Sequence, residues 1–128
     1  MKKPLSNKIN IPLGPYSQYI CSDNYVFTSG QIGINPSSGK LISNNFDDQL
    51  LQVLENISKI LEESGSSFNK IIKLTIYLTD LSNFNELNSI FSMFCENKDF
   101  DNYPARSTVQ VSRLPKDALI EIDAVAKL

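Results

Sequence analysis

Lys70-Ile71-Ile72-Lys73-Leu74-Thr75-Ile76-Tyr77-Leu78 alternates apolar and polar residues and then breaks at Thr79-Asp80-Leu81-Ser82-Asn83. A period of two belongs to a strand with one buried face. Ile72, Leu74, Ile76 and Leu78 are therefore expected against a core, with Lys73, Thr75 and Tyr77 turned away from it. Just past the break the period changes. Phe84, Leu87, Phe91 and Phe94 recur at helical spacing over residues 83–95, and Ser82 or Asn83 can cap the start. Asn88 falls on that apolar face, one turn from Phe84. A strand followed at once by an amphipathic helix predicts helices layered on a sheet.

Upstream, Phe46, Leu50, Val53, Leu54, Ile57, Ile60 and Leu61 step by three and four, with Asp47 and Asp48 in the first turn and Gly65 as a stop. The spacing predicts a helix over 46–61. Before it, Tyr25-Val26-Phe27-Thr28-Ser29 reads as a short strand ending at Gly30, and Asn35-Pro36-Ser37-Ser38-Gly39 as a dense turn, together a hairpin-like excursion at a sheet edge. Downstream, strands are expected at 105–111 and 119–126, joined by the turn Leu114-Pro115-Lys116-Asp117. The order strand, strand, helix, strand, helix, strand, strand predicts an α+β fold, a mixed sheet with two helices on one face. Its other face would carry Val26, Tyr77, Val109, Val111 and Val125, which are costly to expose together, so oligomerisation is expected.

The 128 residues fit one domain, residues 1–128, and 41% hydrophobic with 20% charged residues matches an ordinary globular chain able to bury a core. A net charge of -2 and a pI near 5.0 argue against nucleic acid as the main partner. The chain has no histidine, which removes histidine triads and histidine metal sites. Acid-base chemistry must then use carboxylates, tyrosine, lysine or water. Cys21 and Cys95 form no C-x-x-C pair and are expected as free thiols in a reducing compartment. The basic start at residues 1–8 is followed by no apolar run of signal-peptide or membrane-spanning length, so a cytoplasmic protein is expected.

Arg106 shares a strand face with Thr108 and Gln110. An arginine there is either an edge residue in a salt bridge or a bidentate grip on a carboxylate or phosphate. Glu121 shares a face with Asp123 and Val125; beside Arg106 on a neighbouring strand it would be an ion-pair partner or a base next to an anion clamp. Asn88, an amide on an apolar face, must find partners, a strand end being the plain structural choice. Gly14-Pro15-Tyr16 and Ser29-Gly30-Gln31 are loop pieces that bring a phenol and open backbone amides to a possible ligand.

Over nearly its full length the chain resembles the Rid (YjgF) family and, within it, the RidA subgroup. The resemblance rests on Leu13-Gly14-Pro15-Tyr16-Ser17-Gln18, Thr28-Ser29-Gly30-Gln31-Ile32 with Asn35-Pro36, and Tyr77-Leu78-Thr79-Asp80-Leu81. It continues through Phe84 to Asn88, Tyr103-Pro104-Ala105-Arg106-Ser107, Arg113-Leu114-Pro115-Lys116-Asp117 and Ile120-Glu121-Ile122-Asp123-Ala124-Val125-Ala126. It implies a chorismate-mutase-like fold, a homotrimer with ligand sites between subunits, and a cofactor-free, metal-free deaminase that hydrolyses 2-iminobutanoate and 2-iminopropanoate to 2-keto acids and ammonia.

By the same resemblance, Arg106 would grip the substrate carboxylate, Glu121 would hold and polarise the attacking water, and Tyr16 would add a hydroxyl. Ser29, Gly30, Asn88 and Thr108 would line the pocket. Thr108 stands where many RidA members have cysteine, which excludes a thiol role there, and Asp123 stands where glutamate is frequent. The family also contains proteins described as RNases, translation inhibitors or chaperones, so an RNA-directed role and a non-catalytic small-carboxylate binder are the competing expectations.

Overall fold

The computed structural model describes residues 9–128, and the basic start at 1–8 lies outside the described residues. The elements in chain order are β1 (Tyr19–Ser22), β2 (Tyr25–Thr28), β3 (Ile34–Asn35), β4 (Lys40–Leu41), α1 (Phe46–Ser64), β5 (Ile71–Leu78), α2 (Phe84–Glu96), β6 (Ala105–Gln110) and β7 (Ile120–Lys127). Five strands form one mixed sheet in the order β1-β2-β7-β5-β6, parallel only between β5 and β6, while β3 and β4 form a separate two-stranded hairpin. The parallel pair requires a crossover, and α2 supplies it. Both helices lie on one face, as the sequence pattern predicts.

Local chemistry accounts for the main boundaries. Asn45 caps α1 by accepting from the amides of Asp47 and Asp48, and Gly65, at φ 95°, ends the helix in the left-handed region. The Asn45 amide oxygen satisfies donors that the first turn leaves unpaired. The α2 cap differs from expectation. Neither Ser82 nor Asn83 caps the helix through its side chain; Asp80 accepts from the Ser82 amide and organises a 3-10 turn, Leu81–Asn83, that leads directly into α2.

The core lies between the helices and the sheet: Leu50, Val53, Leu54, Ile57 and Leu61 of α1 and Leu87 of α2 meet Leu74, Ile76, Leu78, Ile120 and Ile122, all fully buried. Each such side chain contributes about 1.5–3 kcal/mol by leaving water. Phe68, Phe94 and Phe100 close one end with edge-to-face rings. At the other, Asn56 on α1 donates to the carbonyls of Ile32 and Ile34 and docks the β3–β4 hairpin.

Three sequence expectations are corrected. Ile72 is not a core residue: the β5–β7 register shifts between Ile71 and Lys73, so Ile71 turns inward and Ile72 is 38% exposed. A bulge inserts one residue and inverts the alternation on one side of it. Val26 does not belong to the open face, because it pairs with Ala126 and is fully buried; Phe27, paired with Val125 and 46% exposed, takes its place. Finally, β1 was not anticipated. It pairs with β2 through the two-residue turn Asp23-Asn24, where Asp23 takes φ 54°.

Candidate functional site

Arg106 leaves β6 on the helix-covered face, opposite Leu74 in the β5–β6 register. Its Nη2 donates to Asn88 Oδ1 at 2.7 Å. Its guanidinium carbon lies 5.5 Å from the Phe84 ring centre and 5.8 Å from that of Phe91. Among the described residues no carboxylate pairs with it. The edge salt bridge weighed from sequence is therefore not what holds this arginine. Burial lowers its pKa from the ordinary arginine value, which marks a cation partly stripped of water. Asn88, Phe91, Ser92, Tyr103, Pro104 and Arg106 line an adjoining cleft of about 300 Å³. It has the apolar walls and single charge common in small-ligand sites.

Glu121 leaves β7 on the opposite, open face, paired with Tyr77. Its carboxylate rests on Gly30: a Cβ at that position would come within 2.3 Å of Oε2. Only glycine permits so close an approach. Gly30 is held from both sides. The Ser29 amide donates to the Gln18 carbonyl at 2.8 Å and the Ser29 hydroxyl to the Ser17 carbonyl at 2.6 Å, while Gln31 forms a two-way backbone bridge with Ile122. Beneath, Gln31 Nε2 of the side chain donates to Gln18 Oε1 at 2.8 Å, a buried pair that stiffens the loop. Burial, and then the charge of Asp123, raise the Glu121 pKa above the ordinary glutamate value. Asp123 is raised by burial too, and accepts from the Tyr77 hydroxyl at 3.2 Å.

The structure thus gathers the sequence-derived candidates into two clusters, Arg106 with Asn88 and Glu121 with Gly30 and Ser29. It does not bring Arg106 and Glu121 together. Strand β5 separates their strands, and the side chains point to opposite faces. Tyr16, 44% exposed, accepts from the Leu13 amide at 3.1 Å, closing a turn on its own loop. Thr108 follows Arg106 on the helix-covered face, and its Oγ1 is buried without a partner among the described residues. Asn88 is bound to Arg106 rather than to a strand end.

Sequence reasoning missed Phe84 and Phe91 as neighbours of the guanidinium, and Ser92, Tyr103 and Pro104 as cleft walls. The signal available was the i, i+4, i+7 stripe of Phe84, Asn88 and Phe91; what it faced depended on the crossover. Also among the described residues, no cluster of His, Cys, Asp or Glu could hold a metal, no helix is long and apolar enough to cross a membrane, and both cysteines are free.

The fold is thus a helix-backed mixed sheet that carries, in separate clusters, an arginine held by one amide and two rings and a glutamate laid on a glycine loop. The family model described as endoribonuclease L-PSP matches residues 7–128, and the chain belongs to this family, the YjgF/Rid family. It is 49% identical over 116 residues to a RutC family protein of Pyrococcus horikoshii, covering 90% of this chain and 88% of that one. Human 2-iminobutanoate/2-iminopropanoate deaminase is 41% identical over 114 residues, covering 89% of this chain and 80% of the human protein. The crystal structure of E. coli TdcF with bound serine superposes with a TM-score of 0.92 at 38% identity, covering 100% of this chain and 99% of that one. Relatives named as reactive intermediate deaminases support an enzyme reading at this level.

Proposed function

We propose that the protein is a cofactor-independent, metal-free hydrolytic deaminase of 2-imino acids, with 2-iminobutanoate and 2-iminopropanoate as substrates, working as a cytoplasmic homotrimer. The observation that carries the reading is the split site: a guanidinium with no anionic partner among the described residues on one face, and an ionisable carboxylate against Gly30 on the other. Two copies of the chain meeting edge to face would complete one cleft from both halves. The open face, with Ile20, Phe27 and Val109 exposed, offers apolar area for such contacts. Serine in the TdcF structure and the substrate in the human protein's name both carry an α-carboxylate next to nitrogen.

In this reading Arg106 holds the substrate carboxylate by parallel N–H bonds and so fixes the C=N carbon. Ser29, Gly30 and Thr108 border the substrate, and the Tyr16 hydroxyl contributes at the rim. Glu121 accepts a proton from water as its oxygen bonds to the imine carbon, and the C=N π pair moves to nitrogen. The nitrogen takes that proton back from Glu121 to give the carbinolamine. Glu121 then accepts the hydroxyl proton as the carbonyl forms and passes it to the nitrogen as the C–N bond breaks, so ammonia leaves and Glu121 is again ionised. The overall balance is imino acid plus water to 2-keto acid plus ammonia. Proton transfer of this kind contributes roughly 10²- to 10⁴-fold.

The test is 2-ketobutyrate release while a threonine dehydratase generates the imine, with no added protein, wild type, Arg106→Ala and Glu121→Gln. Acceleration by wild type alone supports the reading. A wild type equal to the blank overturns it. Carboxylate binding retained without turnover would then leave a small-carboxylate binder as the function.

A further inference from the structure

Phe84, Asn88 and Phe91 lie at i, i+4 and i+7 along α2, so one stripe of the helix meets Arg106. The stripe has an uncommon composition for the surroundings of a half-buried cation. All three contacts are neutral: two ring faces and one amide oxygen. A desolvated guanidinium is ordinarily compensated by a carboxylate, and among the described residues this one has none. Ring faces attract a cation without neutralising it, because they act through a quadrupole rather than a net charge. The amide oxygen engages Nη2 and thereby sets the rotation of the planar fork.

We propose that Phe84, Asn88 and Phe91 form a neutral bracket that orients Arg106 and keeps its positive charge uncompensated for the carboxylate of an incoming ligand. They are positioning residues that act through Arg106, and Asn88 is assigned here rather than among groups touching the substrate. The inference rests on the carboxylate-anchoring role proposed for Arg106. It makes a specific demand of position 88. An aspartate there would reach the same Nη2 and make a stronger hydrogen bond, so a merely structural contact would be served at least as well. A bracket would be ruined, because the cation would be paired internally and closed to anions.

The experiment is calorimetric binding of L-serine, 2-ketobutyrate and L-serinamide, which keeps the amine but lacks the carboxylate, to wild type, Asn88→Asp, Phe84→Leu and Arg106→Ala, with a thermal melt of each. The expected result is that Asn88→Asp melts no lower than wild type yet binds both carboxylates about 30-fold or more weakly, losing discrimination against serinamide. Phe84→Leu, at a residue already 39% exposed, should weaken carboxylate binding about 3- to 10-fold with little change in the melt. Asn88→Asp binding carboxylates as wild type does would overturn the bracket, whatever the turnover assay gives. Wild type that binds carboxylates without hydrolysing imines would overturn the deaminase reading and leave the bracket standing. Wild type that binds no carboxylate would overturn both.

Discussion

Arg106 and Glu121 project from opposite faces of the same sheet, with β5 lying between their strands. No side-chain rotation in one chain closes that separation, since the sheet itself stands between the groups. If one cleft uses both residues, each must come from a different copy. Arg106→Ala and Glu121→Gln, each inactive alone, should therefore regain activity when unfolded and refolded together. Random mixing would leave about one site in four with both native residues. Recovery near that fraction of wild-type 2-ketobutyrate release checks the shared cleft, and mixtures as inactive as either parent would refute it.

The raised Glu121 pKa makes activity sensitive to acid. Its ionised form is the one that accepts a proton, so turnover should fall as pH drops through a value above the ordinary 4.5. Burial is the larger cause and the Asp123 charge the second. Asp123→Asn removes the second cause, so the acid limb of the kcat profile should move to lower pH, with the Tyr77 hydroxyl still able to donate to the asparagine oxygen. Stability has the opposite sense. Between the ordinary and the raised value the folded chain binds more protons than the unfolded one, so stability declines as pH rises through that window. Glu121→Gln should accordingly raise the melting temperature at pH 8 but not at pH 4, while turnover falls roughly 10²-fold or more.

Gly30→Ala separates the site from the fold. The added Cβ would meet Glu121 Oε2, the far end of a side chain that can swing away. The melting temperature should change by no more than about 2 °C, whereas imine hydrolysis should fall at least about 10-fold because the carboxylate leaves its seat. A variant with native turnover would show that the Glu121 position over Gly30 is immaterial.

Gln49 is a structural amide with no part in the chemistry. Fully buried on α1, it donates to the Ser43 carbonyl and accepts from the Leu119 amide, both at 2.8 Å, joining the helix start to the entry of β7. Gln49→Leu keeps the volume and strands two backbone groups. Urea unfolding should register a loss of about 1–3 kcal/mol. The kcat of the remaining folded protein should be unchanged.

The sequence by itself determined which residues share a face within each element. Its periods located both helices and strands β5, β6 and β7, because side-chain direction along a strand or helix follows from backbone geometry alone. It also yielded the family, through motifs spread along the chain. Only the tertiary structure decided how those faces are set against one another. Alternation says that Glu121 and Asp123 point the same way, but not whether that way is toward Arg106. The register on β5 decided it, because Arg106 pairs with Leu74 and Glu121 with Tyr77, which face opposite ways, and pairing between distant segments leaves no local trace. For the same reason Val26 and Phe27 exchange places relative to expectation, the pairing with β7 choosing which of two adjacent apolar residues is buried. Ile72 gave way to Ile71 through a single bulge. The stripe of Phe84, Asn88 and Phe91 was legible as a stripe; that it encloses a guanidinium required the crossover that lays α2 over β6.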